Sequence, residues 1–108
     1  MTGRRFQLRA WPKSGRIAVG PFQDWLVEVR RPNGPPVLDA AFQISGGMKA
    51  HGHGLPSAPE VRRSLGDGIY LLEGLKFSMA GDWTLIFRIQ SGSETDQVEL
   101  EIPVHLAP

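Results

Sequence analysis

Alternation of apolar and polar positions runs through most of this chain and sets the elements it predicts. Phe6, Leu8 and Ala10 alternate with Gln7 and Arg9, giving a short first strand with one buried face. Trp11-Pro12-Lys13-Ser14-Gly15 ends it, and Arg16 to Val19 is a brief second run closed by Gly20-Pro21. Trp25, Val27 and Val29 then alternate with Asp24, Leu26, Glu28 and Arg30 in a longer strand. Asn33-Gly34, set among prolines, supplies the positive backbone angles of a turn. Val37 to Ile44 follows as a strand with Leu38, Ala40, Phe42 and Ile44 toward the core. From Gly46 to Pro56, four glycines and a proline exclude an ordinary helix and leave too few side chains for a core strand, so this stretch reads as a loop.

Beyond it, Leu55 to Pro59 is an extended linker, because each proline biases its predecessor away from helix. Glu60 to Leu65 reads as a strand with a polar face, Gly66-Asp67-Gly68 as a tight turn, and Ile69 to Leu75 as a strand ending near Phe77. Ser78 to Asp82 is a second small loop. Trp83, Leu85, Phe87 and Ile89 then give the clearest period of two in the chain. After a polar turn at Gly92 to Asp96, Val98, Leu100, Ile102 and Val104 form a last strand, placed at a sheet edge because Pro103 cannot donate to a ladder.

Short strands punctuated by Gly, Pro and Asn, with no helical stretch, predict an all-β protein: an immunoglobulin-like antiparallel β-sandwich of seven to eight strands, with a small barrel as the competitor. The expected core holds Trp25, Val27, Phe42, Tyr70, Leu72, Leu85, Phe87, Leu100 and Ile102. A length of 108 residues suits one domain over the whole chain, and no internal repeat calls for another architecture.

Charge narrows the partners. Lys and Arg number 12 against 11 Asp and Glu, a balance of +1, so no basic field argues for nucleic acid or a membrane surface. The absence of cysteine removes disulfides and thiolate metal sites, leaving His, Met and carboxylates as candidate ligands. No apolar run approaches the roughly 18 residues of a membrane span. The start at Met1 leads into alternation and not into an apolar signal core, which fits either a cytoplasmic chain or one whose leader has been replaced.

Candidate chemistry concentrates in the first loop, where Met48, His51 and His53 fall within six residues. In an extended conformation His51 and His53 point to one side, and Gly52 between them leaves room for a shared ion. Met48 adds a soft sulfur, and Met79 in the second loop is the candidate fourth donor. Such a set suits copper, as Cu(I) through thioethers and as either ion through imidazoles. The competing reading makes the histidines polar loop residues and Met79 a core filler. His105, on the last strand, is left outside the site as an exposed or edge residue.

Enzyme signatures fail residue by residue. A cupin would carry Glu three or four positions after His-x-His, where Ser57 and Ala58 stand, and no Gly-x-Ser-x-Gly nucleophile turn occurs. The acidic pairs Asp67 with Glu73 and Glu99 with Glu101 fall at turns and solvent-facing positions. The chain reads as a non-enzyme.

The order Gly34-Pro35-Pro36-Val37-x-x-Ala40, Met48-x-x-His51-Gly52-His53-Gly54, Gly68-x-Tyr70 and Phe77-x-Met79-x-Gly81-x-Trp83 resembles the YtkA-like and FixH-related domains of bacteria, over roughly Phe22 to Ile102. The resemblance implies an extracytoplasmic sandwich linked to copper handling or to assembly of respiratory oxidases, with a copper-receiving or membrane protein as partner. Carried onto this chain, it places Met48, His51, His53 and Met79 in the site, with Trp83 beside it. Lys49 and Ala80 stand where family members often have Pro, and the export leader is missing, which leaves the cytoplasm as the alternative location. Two functions follow: a carrier that binds copper and hands it on, or a non-catalytic interaction module whose Gly, His and Met loop is a recognition surface.

Overall fold

The structure, a computed structural model, describes residues 5–106; the start of the chain, on which the leader expectation rests, lies outside them. Eight strands form among them: β1 Gln7–Pro12, β2 Gln23–Arg30, β3 Ala41–Met48, β4 His53–Gly54, β5 Glu60–Gly66, β6 Ile69–Leu75, β7 Gly81–Ser91 and β8 Glu94–Val104. They make two antiparallel sheets of four, ordered β1-β2-β6-β5 and β4-β3-β7-β8. This is the strand order of an immunoglobulin-type sandwich with one short extra strand, β4, beside β3. The barrel is excluded, because the strands divide into two open sheets. Pro103 lies in β8 at the sheet edge, opposite Asp82, where its missing N–H costs no ladder bond to a further strand.

The core is what the alternation sends inward from both sheets. Trp25, Val27 and Val29 of β2 meet Trp83, Leu85, Phe87 and Ile89 of β7, all buried. Phe42 and Leu100 are only partly buried, and Phe6, Leu8, Met48, Phe77 and Trp83 complete the cluster. Trp25, Phe77 and Trp83 stand edge to face, with ring centres 6.2 and 5.3 Å apart, so an aromatic chain crosses the sandwich. With no cysteine to cross-link the sheets, that packing is the main tie between them, each fully buried large side chain contributing about 1.5–3 kcal/mol.

Three stretches differ from the sequence expectation. Arg16 to Val19 forms no strand: Ile17 and Val19 pack partly on the core from irregular backbone, and Gly20 donates its N–H to the Phe77 carbonyl at 2.8 Å. Val37 to Ala40 is not yet strand either. There the chain crosses between sheets, fastened by Val37 N–H on the Val29 carbonyl at 3.0 Å. The Tyr70 hydroxyl donates to the Val37 carbonyl at 2.6 Å and accepts from Ala40 N–H at 2.9 Å. Val37 is therefore buried and Leu38 is 64% exposed, the reverse of the expected facing.

The third difference positions the site. Gly46, Gly47 and Met48 belong to β3 and are not loop. A Cβ on Gly46 would stand 2.0 Å from the Thr84 carbonyl oxygen, and one on Gly47 2.2 Å from that of His53. Glycine here serves close backbone approach on both sides of the strand, at φ 148° for each residue.

Candidate metal centre

Beyond Met48 the chain turns tightly. Lys49–His51 make one 3-10 turn, and Gly52, at φ 66°, takes the left-handed conformation that ends it, donating its N–H toward the Met48 and Lys49 carbonyls at 3.1 and 3.2 Å. His53 then begins β4 and pairs directly with Met48. The expected extended run over His51 to His53 is thus a hairpin turn, which brings the imidazoles together by reversal. Their ring centres lie 5.9 Å apart with planes 27° from parallel.

The rings are stacked, and an imidazole ligates through a lone pair in its ring plane, so an ion about 2 Å from either nitrogen would sit at the ring edges and not between the faces. Nδ1 of His53 lies 3.2 Å from the Gly54 carbonyl oxygen. A carbonyl only accepts, so this contact goes with a proton on Nδ1 and leaves the Nε2 lone pair open, the usual tautomeric arrangement of a histidine ligand. Both histidines are exposed.

The sulfurs divide. Met48 is buried to 2% exposure, and its Cε packs against Gly81, where a Cβ would come within 2.4 Å of it. Met79 is 41% exposed on the bend before β7. Trp83 stands between the two regions. Its buried ring meets His53 edge to face at 5.9 Å, and its Nε1–H donates to the Met79 carbonyl at 3.0 Å. Periodicity reads Trp83 as an inward-facing strand residue, and the family resemblance sets it beside the loops; the structure puts it in contact with both.

Among the described residues no three His, Cys, Asp or Glu side chains gather into a metal-holding group. His105 follows Val104, which pairs with Gly81, and so emerges at the same end of the sandwich without making a triad. Lys49 Nζ lies 3.4 Å from Glu99 and 4.0 Å from Glu101 of β8, contacts that offset a positive charge next to the histidines. Behind the hairpin lies an open hollow of about 360 Å³ bordered by Gly46, Gly47, Lys49, His53 and Thr84.

An immunoglobulin-type sandwich with a paired-histidine turn at one end defines the class of this molecule. The family model of YtkA-like domains matches residues 12–88, and the chain belongs to that family. None of the curated proteins and none of the solved structures matches it.

Proposed function

We propose that this domain binds copper as cargo through His51 and His53 and hands it on to a receiving protein, outside the cytoplasm. The observation that carries the reading is the pair of exposed imidazoles 5.9 Å apart on a hairpin turn. Met79 is the accessible soft donor and Met48 the sheltered one behind His53. A thioether binds Cu(I) softly and carries no proton to exchange, so an ion held this way passes readily to a partner with more donors. Both histidines are exposed beside the open hollow, which leaves them within reach of a receiving protein. Among the described residues no helix is long and apolar enough to cross a membrane.

Chelator-competition titration with Cu(I) and Cu(II) tests this. The parent should bind both ions, less tightly in acid because protons compete for the imidazole nitrogens. His51→Ala with His53→Ala should abolish binding yet change stability by no more than about 0.5 kcal/mol, because both side chains are exposed. Copper bound as tightly by the double variant as by the parent would instead favour the second reading, a recognition surface formed by the glycine-bordered hollow behind the hairpin.

A further inference from the structure

Two separate stretches of chain carry the accessible donors. His51 and His53 sit on the turn between β3 and β4, while Met79 sits on the bend ahead of β7. The bend lies outside the strands, so the placement of Met79 depends on what holds residues 78–80. One such hold is the hydrogen bond from Trp83 Nε1 to the Met79 carbonyl, 3.0 Å long. Another is the contact of Met48 Cε with Gly81, two residues further on.

Trp83 is fully buried and wedged against Phe77, so its ring cannot shift without opening the densely packed core. The same ring forms the wall against which His53 rests. We infer that Trp83 is a positioning residue that couples the histidine turn to Met79, setting imidazole and thioether in one frame so that the domain favours Cu(I) over ions that use imidazole alone. This rests on the metal-binding reading of the preceding subsection and adds a regulation of the same site: an ion placed on the histidines is felt at Met79 through the indole. Trp83 contributes no ligand. It fixes the relative position of ligands carried by two other segments.

A thermodynamic cycle separates this from a merely structural role. Trp83→Phe keeps an aromatic ring and deletes the N–H; Met79→Leu deletes the sulfur and keeps volume. Coupling predicts that each lowers Cu(I) affinity about tenfold, leaves Cu(II) affinity within about threefold, and that the two together cost no more than either alone. Equal losses for both ions, or additive losses in the double variant, would overturn it.

Should Trp83→Phe fail to fold, Zn(II) titration of the unaltered protein by NMR gives the same decision, because Zn(II) takes imidazole in preference to thioether. The Trp83 indole N–H and Met79 methyl resonances should move in step with the His51 and His53 ring resonances. Rings that move while the indole and methyl stay still would overturn the coupling and leave the metal reading standing. Histidine rings unmoved by Zn(II), in a parent that also fails to bind copper, would overturn the metal reading and the coupling with it.

Discussion

Gly46 and Gly81 differ in what a methyl group would meet, and that difference ranks their cost. At Gly46 the added carbon would face the Thr84 carbonyl oxygen, part of the backbone where β3 pairs with β7. The ladder would have to open locally. At Gly81 it would face the Cε of Met48, the free end of a flexible side chain. Both residues also occupy positive φ, 148° and 139°, which an L side chain adopts only under strain. Gly46→Ala should therefore cost about 3 kcal/mol or more and Gly81→Ala about 1–2 kcal/mol. Urea unfolding of the two variants checks the order; a Gly81 variant less stable than the Gly46 variant would contradict it.

At the scale of the element, the strands with clean alternation could be read from the chain and those shaped by contacts between sheets could not. β6 runs from Ile69 to Leu75 as its pattern indicates, β7 extends its alternating core by two residues at each end, and β8 extends its own only at the start, ending at Val104 as expected. β8 begins at Glu94 because Ser91 pairs with Glu94, so the polar turn is shorter than its composition suggests. Val37 to Ala40 alternates like a strand, but the Tyr70 hydroxyl holds it as a crossing between sheets. That partner lies about thirty residues away in sequence, beyond the reach of any local pattern. Gly46-Gly47 misled in the opposite direction: glycine usually marks loop, and here it marks a strand with backbone pressed close on both sides. For the site, the nearness of His51 to His53 was legible from spacing, although a turn and not an extended run produces it. That Met48 is buried and Met79 exposed was not legible, because Met48 pairs with His53 in a strand and packs on Gly81 while Met79 lies on a bend outside the strands.

At the scale of the whole molecule, the first sheet carries a carboxylate buried on its outer face. Glu28 accepts hydrogen bonds from Arg9 at 2.8 Å and Arg30 at 3.2 Å. Burial alone would raise its pKa, but the hydrogen bonds and charges of the two arginines outweigh that and hold it below the ordinary value of 4.5. A lowered folded pKa means that the stabilisation is full above 4.5 and is lost as pH falls through the lower folded value. Glu28→Gln should be less stable than the parent by about 1–3 kcal/mol at neutral pH, with the gap closing in acid. Denaturation midpoints across that range test it, and a gap independent of pH would count against the assignment.

The long axis of the sandwich also has two unlike poles. The Arg5 N–H donates to Asp96 at 2.8 Å and its guanidinium to Glu94 at 3.3 Å, beside the β7–β8 hairpin. The opposite end of that hairpin is where Gly81 pairs with Val104, next to Trp83 and the histidine turn. The intervening strand, at roughly 3.3 Å per residue, spans on the order of 30 Å, most of the longest dimension of 39 Å. Spin labels at positions 5 and 51 should report a separation of that order, and a short distance would refute it. A tether joined ahead of Arg5 would thus hold the domain like a lamp on a post, with the imidazoles turned outward from the anchor by nearly its full length, while one joined beyond Leu106 would crowd them.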